Sequence, residues 1–92
     1  MDSPHVVPIG PEFDLHPFAP RDIPDVVDAY LEEAQARGLR EVRLVHGRGI
    51  GVQRARVHQV LRGHRLVADF VDDPRSHLGA TLVTLHDPSA SA

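Results

Sequence analysis

Apolar residues between positions 23 and 34 recur with the spacing of one face of an α-helix. They are Ile23, Val26, Val27, Tyr30, Leu31 and Ala34, which follow the i, i+3, i+4, i+7 pattern of an amphipathic helix. Asp22 precedes the pattern as a natural N-cap, and Arg37 with Gly38 marks its C-terminal end. The pattern therefore predicts a helix that begins at Ile23 and closes at Gly38.

Shorter runs of apolar residues have the length and composition of β-strands. They are Phe13–His16, Glu41–Val45, Leu66–Val71 and Ala80–Leu85. In the first run, a period of two sends Phe13 and Leu15 to one face and Asp14 and His16 together to the other. A second, Arg-rich helix is predicted from Val52 to about residue 63.

The order β-α-β-α-β-β predicts a two-layer α/β domain, with both helices on one face of the sheet or one helix on each face. Strands joined by a helical crossover should run parallel, whereas the last two strands should form an antiparallel pair. We therefore expect a two-layer sandwich with a mixed four-stranded sheet. The turn after the second strand lies at a carboxyl strand end, where ligands gather in open α/β sheets.

The chain has 92 residues, which is enough for one small domain with a single core. We expect a flexible N-terminal arm over residues 1–11, a domain over residues 12–86 and a C-terminal tail over residues 87–92. The absence of cysteine excludes disulfides and thiolate metal sites. No apolar run approaches the ~18 residues of a membrane span, and the N-terminus lacks the features of a signal peptide. A cytoplasmic monomer that does not enter a membrane is the expectation.

The segment 46–51, His-Gly-Arg-Gly-Ile-Gly, joins the second strand to the second helix and is called the glycine turn below. Glycines at alternate positions permit positive φ angles and let the backbone come close to a ligand. The first amides of the next helix and its positive end suit an anion, most often a phosphate, and Arg48 could add a bidentate contact. A tight turn that needs glycine for geometry alone remains the alternative.

Charge is unevenly distributed along the chain, although the net charge is only −3. Residues 1–36 carry one Arg and eight acidic residues, residues 37–65 carry eight Arg and one Glu, and residues 66–92 carry one Arg and four Asp. The basic block therefore surrounds the glycine turn. An Arg-rich face beside a phosphate-type turn favours a polyanionic partner such as a nucleic acid.

Three segments together resemble the Smr domain, the small MutS-related family. They are Phe13-Asp14-Leu15-His16, the glycine turn, and Gly79-Ala80-Thr81 before the last strand. The resemblance covers about residues 12–86 and implies a β-α-β-α-β-β fold similar to the C-terminal domain of a bacterial translation initiation factor. It also implies nucleic-acid binding, with endonuclease activity on DNA or RNA in a number of members. Other members bind without known cleavage, and Pro17 stands where the first motif usually has glycine.

The resemblance assigns Asp14 and His16 to the first motif and His46, Gly47 and Gly49 to the second. Parallel pairing of the first two strands could bring the carboxylate and both imidazoles together, so we predict Asp14, His16 and His46 as catalytic residues. On RNA a histidine could take the 2′-hydroxyl proton without a metal. On DNA an activated water is needed, and Asp14 is the candidate residue to hold a divalent cation such as Mg²⁺ or Mn²⁺ for that purpose. Asp14 could instead cap the nearby turn or orient a histidine.

The predicted phosphate and nucleic-acid contacts lie in the glycine turn and on the helix after it. They are Gly47, Arg48, Gly49, Gly51, Arg54 and Arg56. The remaining histidines, His5, His58, His64, His77 and His86, are interpreted as structural or surface groups. The acidic residues of the first helix are interpreted as its solvated face.

Two functions from different classes are consistent with these features. The first is an endonuclease that nicks DNA or cleaves RNA. The second is a non-catalytic module that binds nucleic acid or the ribosome. Binding of a small phosphate compound at the glycine turn is a third reading, which leaves the Arg-rich helix unexplained.

Overall fold

A computed structural model of the chain describes residues 11–47, 51–75 and 79–87. Its elements are strand β1 (Glu12–Asp14), helix α1 (Ile23–Ala36), strand β2 (Glu41–Val45), helix α2 (Val52–Leu61), strand β3 (Val67–Asp72) and strand β4 (Ala80–Leu85). A short 3-10 turn, Pro20–Asp22, leads into α1. The predicted order β-α-β-α-β-β is confirmed.

The strands form one mixed sheet in the order β1-β2-β4-β3. β1 pairs in parallel with β2, and β4 pairs antiparallel with both β2 and β3. Since β2 and β3 both oppose β4, they run in the same direction, as expected for strands joined by a helix. The mixed four-stranded sheet is thus confirmed, and the strand that comes last in the sequence lies between β2 and β3.

Both helices pack on one face of the sheet, which decides between the two arrangements that the sequence left open. Val42 and Leu44 of β2 point to the same face as Val83 and Leu85 of β4, because side chains alternate along a strand. They share one core with residues of both helices. That core is Leu15, Ile23, Val27, Tyr30, Leu31, Ala34, Val42, Leu44, Val57, Leu61, Val83 and Leu85. The opposite face of the sheet is more exposed, as at Thr84.

Some element boundaries differ from the predictions for local reasons. The first strand was predicted over Phe13–His16 but ends at Asp14, because the chain turns after Leu15 and the Phe18 N–H donates to the Leu15 carbonyl at 3.1 Å. The third strand, predicted over residues 66–71, lies one residue later.

Asp22 occupies the N-cap position of α1 as predicted, but its side chain makes no capping hydrogen bond. The preceding 3-10 turn places Asp22 in right-handed helical conformation, with φ −90° and ψ −10°. Side-chain capping normally requires the extended backbone of the β region at the N-cap. The 3-10 turn therefore begins the helix, in place of the side-chain cap that was expected from Asp22.

Parts of the predicted arm and tail lie outside the described residues. Pro11, the last residue of the predicted arm, accepts a hydrogen bond from the Arg43 N–H at 2.6 Å and so extends the pairing of β1 with β2. Among the described residues, no helix has the length and apolarity needed to span a bilayer. The cytoplasmic location and the monomeric state stay predictions.

Candidate functional site

Asp14 and His16 form a hydrogen-bonded pair at the carboxyl end of β1. Leu15 between them is fully buried, so the two polar side chains share the solvent side, with exposed fractions of 58% and 59%. The Asp14 Oδ1 atom accepts the backbone N–H of His16 at 2.9 Å and lies 2.6 Å from its ring Nδ1. These bonds, first that from the backbone and then that from the ring, lower the pKa of Asp14. A carboxylate in this position holds the proton on Nδ1, which leaves His16 Nε2 able to accept one.

His16 packs directly against the first glycine of the glycine turn. Gly47 has a φ of +81°, and a Cβ atom added to it would lie 2.6 Å from His16 Nε2. The parallel register that pairs Asp14 with Val45 brings the end of β1 beside the start of the turn. Gly47 is therefore required both for its backbone conformation and for the close approach of the imidazole.

His46 lies in a different environment from His16, although both end a strand. Its side chain is buried, with 4% of the residue exposed, and burial lowers its pKa from the usual 6.5. Its Nδ1 lies 3.0 Å from the Gly47 carbonyl oxygen, and its Nε2 lies 2.9 Å from the Thr81 hydroxyl. Both ring nitrogens are therefore engaged within the protein. The strands bring all three predicted catalytic residues into one region, but only Asp14 and His16 face solvent.

The first two residues of the glycine turn are held by the segment before β4. The amides of His46 and Gly47 both donate to the Gly79 carbonyl, at 3.0 and 2.9 Å. The Gly47 amide was a predicted phosphate donor, and in this conformation it is used inside the protein. The late Gly-Ala-Thr segment thus supports the turn rather than standing apart from it.

The middle of the glycine turn, including Arg48 and Gly49, lies outside the described residues. Gly51 is the N-cap of α2, with a φ of +86°. Because glycine has no side chain, it cannot cap the first amides of the helix as serine or aspartate would. Those amides lie at the positive end of α2, next to the part of the turn predicted to hold a phosphate.

The two arginines predicted on α2 have different surroundings. Arg54 makes a bidentate ion pair with Asp72 of β3, with distances of 2.8 and 2.6 Å. This contact with Asp72 raises the pKa of Arg54 and lowers that of Asp72. Arg56 has a buried Nε atom that makes no hydrogen bond within the described residues. It lies with Val52 and Gln59 along one surface groove of the helix, so Arg56 is the more available of the two for a phosphate.

Ion pairs neutralise much of the basic block that the sequence places around the turn. They join Arg37 to Glu33, Arg40 to Asp87, Arg43 to Glu12 and Asp73, Arg54 to Asp72, and Arg65 to Asp28 and Glu32. Within the described part of the block, Arg56 and Arg62 are the arginines that no acidic side chain pairs. The sequence therefore overstates the free positive charge of this face.

Two further residues of the site were not selected from the sequence. Thr81 is fully buried in β4, and its hydroxyl lies 2.9 Å from the Nε2 atoms of both His46 and His58. His58, on α2, also packs edge-on against Phe70. Thr81 belongs to the motif that carried the family resemblance, which was the available signal. The position of His58 depends on how α2 packs on β4, and no spacing along the chain indicates it.

The described residues do not form a cation site around Asp14. Among them, no group of three or more histidine, aspartate or glutamate side chains is placed to hold a metal ion. The Asp14 Oδ1 atom is already committed to His16. The donor set of the described residues therefore does not fit a protein-held divalent cation.

Comparison with protein families identifies the domain. The model of the Smr domain family matches residues 13–86 of this chain. Among relatives, the chain is 39% identical over 79 residues to "Endonuclease MutS2" of Pelotomaculum thermopropionicum, and 43% identical over 61 residues to that of Thermus thermophilus. These alignments cover 84% and 64% of this chain but only 10% and 8% of the relatives. The chain thus spans about a tenth of the length of the MutS2 proteins it matches.

Solved structures agree with this assignment. The crystal structure of the Smr domain of Thermus thermophilus MutS2 superposes with a TM-score of 0.78 at 37% identity, covering 84% of this chain and 99% of that one. YdaL, a stand-alone small MutS-related protein from Escherichia coli, superposes with a TM-score of 0.74 at 24% identity, covering 83% of this chain and 64% of that one. The second likeness supports the fold alone.

Proposed function

The chain belongs to the Smr domain family, and we propose that it binds nucleic acid and cleaves it as an endonuclease, with His16 as the catalytic base and Asp14 as the residue that orients it. One observation carries the proposal: His16 Nε2 makes no hydrogen bond within the described residues and packs against Gly47, where the glycine turn begins. The name endonuclease, carried by the MutS2 relatives, supports cleavage as the reaction.

The binding surface proposed here is the glycine turn together with the start of α2. A phosphate at the uncapped helix N-terminus would meet backbone amides and the positive end of the helix. Arg48 of the turn and Arg56, which no acidic side chain of the described residues pairs, would add charge there, and Arg62 at the C-terminal end of α2 would contact a phosphate further along the polymer. Such contacts recognise the sugar-phosphate backbone and carry little sequence information, so the expected binding is largely independent of sequence.

In the proposed reaction, His16 removes a proton from the attacking oxygen. On RNA the 2′-hydroxyl gives its proton to His16 Nε2, its oxygen attacks the adjacent phosphorus, and the bond to the 5′-oxygen breaks. The leaving oxygen then takes a proton from water or from the imidazolium. On DNA the same base would act on a water molecule. Asp14 stabilises the imidazolium through Nδ1, as a carboxylate does in other carboxylate-histidine pairs.

His46 has a supporting part in this proposal, in place of the direct proton transfer predicted from the sequence. Both of its ring nitrogens have partners inside the protein, and burial disfavours its charged form. A group in that state is poorly placed to exchange protons with a substrate. Its contacts with Gly47 and Thr81 suit it to hold the turn in shape.

The non-catalytic module remains the second candidate, because the described residues supply one exposed acid and base pair and no second free imidazole beside it. A domain without a second group placed to protonate the leaving oxygen can still bind phosphates. In that case the partner would be nucleic acid, free or within the ribosome. The Asp14–His16 pair would then serve as a binding contact.

A cleavage assay paired with equilibrium binding separates these candidates. Labelled single-stranded and structured RNA, and branched and nicked DNA, are incubated with wild-type protein, with and without chelator. The variants are Asp14→Asn and His16→Ala, and the matched control is His86→Ala, which removes an exposed histidine at the far end of β4. We expect His16→Ala to lower single-turnover cleavage by about 10² or more with binding changed only a few-fold. Binding without cleavage of any substrate supports the module instead.

A further inference from the structure

A single buried hydroxyl joins two histidines from different elements. Thr81 Oγ1 lies 2.9 Å from Nε2 of His46 and 2.9 Å from Nε2 of His58, and Thr81 itself has no exposed surface. A hydroxyl carries one proton and can donate it to only one partner. If both contacts are hydrogen bonds, at least one of the two imidazoles must donate to Thr81.

The Gly47 carbonyl decides the direction of the whole chain of bonds. A carbonyl oxygen only accepts, so His46 Nδ1, at 3.0 Å from it, must carry a proton. Burial lowers the pKa of both histidines, which favours their neutral forms. Neutral His46 then has a bare Nε2, which accepts the Thr81 proton. Thr81 in turn accepts from His58 Nε2–H.

The opposite tautomer of His46 would break this chain at the glycine turn. With its proton on Nε2, His46 would face the Gly47 carbonyl with a bare Nδ1, and two acceptors at 3.0 Å repel each other. The carbonyl belongs to Gly47, against which His16 packs so closely that an added Cβ would lie 2.6 Å from its Nε2. A change of tautomer in the core would therefore move the surface against which the proposed catalytic base rests.

We propose that Thr81 and His58 are positioning residues that fix the tautomer of His46 and, through the Gly47 carbonyl, the place of His16. The proposal rests on the proposed function, since His16 is the group whose position it controls. The bidentate Arg54–Asp72 ion pair assists, because it occupies the carboxylate that lies 3.5 Å from His58 Nε2 and would otherwise compete for the proton of that atom.

The first test is the tautomer of His46, read by NMR of protein labelled with ¹⁵N-histidine and assigned with a His46→Gln variant. The wild-type protein should show His46 protonated on Nδ1, and Thr81→Val, which removes the hydroxyl but keeps the shape, should weaken or reverse that preference. Thr81→Ser should restore it. Thr84→Val is the matched control, because it makes the same change on the exposed face of the same strand. A wild-type His46 protonated on Nε2, or an unchanged tautomer in Thr81→Val, overturns the proposal.

The second test changes the other end of the chain of bonds. His58→Gln keeps an N–H donor near the hydroxyl and should behave as the wild type, whereas His58→Leu removes the donor. We expect His58→Leu and Thr81→Val to lower single-turnover cleavage by roughly 10- to 100-fold, as small misplacements of reacting groups do, with nucleic-acid binding nearly unchanged. His58 lies nearer the surface than Thr81, so His58→Leu serves if Thr81→Val does not fold.

The outcomes separate this proposal from the proposed function. A changed tautomer with unchanged cleavage shows a purely structural network and overturns the positioning role. A wild-type protein that cleaves nothing refutes the proposed function, and the NMR signals of His16 and Gly47 then decide the present proposal. The positioning proposal predicts that those signals change in Thr81→Val and return to their wild-type positions in Thr81→Ser. If they do not, the positioning proposal is wrong.

Discussion

His16 and His46 follow β1 and β2, yet packing gives their imidazoles opposite surroundings. His16 is exposed and bonded on one side to Asp14, whereas His46 is buried and bonded on both sides. An exposed imidazole with one free nitrogen can exchange protons with a substrate, and a buried one with two occupied nitrogens holds structure. These surroundings support the proposed roles, in which His16 transfers the proton and His46 holds the glycine turn.

Gly47 and Gly38 allow the cost of a backbone conformation to be separated from the cost of a close contact. Both have positive φ angles, +81° and +85°, but an added Cβ meets His16 Nε2 at Gly47 and nothing within 4 Å at Gly38. We expect Gly38→Ala to lower the free energy of unfolding by about 1–2 kcal/mol and to leave cleavage unchanged. Gly47→Ala should have that cost and also lower cleavage tenfold or more by displacing the imidazole. Urea unfolding and single-turnover cleavage measure the two effects, and equal cleavage in the two variants would contradict the contact.

Pro17 replaces the glycine usual in the family, and the structure accommodates it. The turn after β1 is closed by the Phe18 N–H and the Leu15 carbonyl, a bond that does not need an N–H at position 17. Asp14 still bonds to His16. We therefore expect Pro17→Gly to keep cleavage close to the wild-type rate and to lower stability by about 0.4–1 kcal/mol, because the unfolded chain gains freedom. A large gain in turnover would show instead that proline strains the pair.

The pairing of Asp14 with His16 could be predicted from alternation along one strand, because neighbours at i and i+2 share a face. The burial of His46 could not, since it depends on Thr81, thirty-five residues further along. Sequence spacing predicts contacts within an element well and contacts between elements poorly. For the same reason His58 was interpreted as an ordinary structural histidine.

At the scale of elements, α2 and β4 are joined through polar groups as well as through the core. His58 of α2 and Thr81 of β4 share a hydrogen bond beside the apolar contacts of Val57 and Leu61. Buried imidazoles in such a junction are stable when neutral. As the pH falls, protonation of these histidines should therefore destabilise the junction before the carboxylates of the protein are protonated.

The sign of this effect follows from the direction of the pKa shifts. Burial lowers the pKa of His46 and His58 below the 6.5 of an exposed histidine, so the unfolded chain binds protons that the folded one resists. Their contribution to the free energy of unfolding is fully present above pH 6.5 and is lost as the pH falls through their folded pKa values. The free energy of unfolding then falls by up to about 1.4 kcal/mol per pH unit for each histidine. The paired aspartates, whose pKa values are lowered from 3.8, act only at lower pH.

The measurement is the urea midpoint between pH 8 and pH 4.5. We expect stability to fall below pH 6.5 in the wild type and to fall less steeply in His58→Gln, which keeps a donor but does not titrate. A stability that is flat over this range would contradict neutral burial of the two histidines.

Elements that carry their own signal were predicted closely. β2 and β4 have the predicted bounds, and α1 begins at the predicted Ile23, because their apolar periodicity is regular and ends at turn residues. β1 is short and sits at the sheet edge, so its end is set by the turn after it rather than by its own pattern. No sequence pattern within β4 indicates that this strand lies inside the sheet, between β2 and β3.

At the scale of the whole molecule, folding redistributes the charge that the sequence concentrates in one block. Acidic side chains from α1, β1, β3 and the C-terminal end of the domain neutralise arginines between residues 37 and 65. Exposed pairs of this kind add little stability, but they reduce the charge available to a polyanion. The proposed contacts then reduce to Arg48, Arg56 and Arg62.

Salt dependence of binding tests this reduced count. Three phosphate contacts predict a log–log slope of about −2.7 on duplex DNA, whereas all eight arginines of the block would give about −7. Arg56→Ala and Arg62→Ala should each make the slope shallower by about 0.9, and the control Arg37→Ala, which removes a residue paired to Glu33, should not. A slope near the larger value would mean that the ion pairs open when nucleic acid binds.

The central place of β4 has a consequence for the protein during its synthesis. Residues 80–85 leave the ribosome after the other strands, yet β2 and β3 both pair with them. Until then β2 has one open edge, β3 has no partner from the sheet, and the Gly79 carbonyl that fixes the glycine turn has not arrived. A nascent chain therefore carries Asp14, His16 and the arginines without the strand that assembles them, and it completes its site only after β4, the last strand of the domain, has emerged.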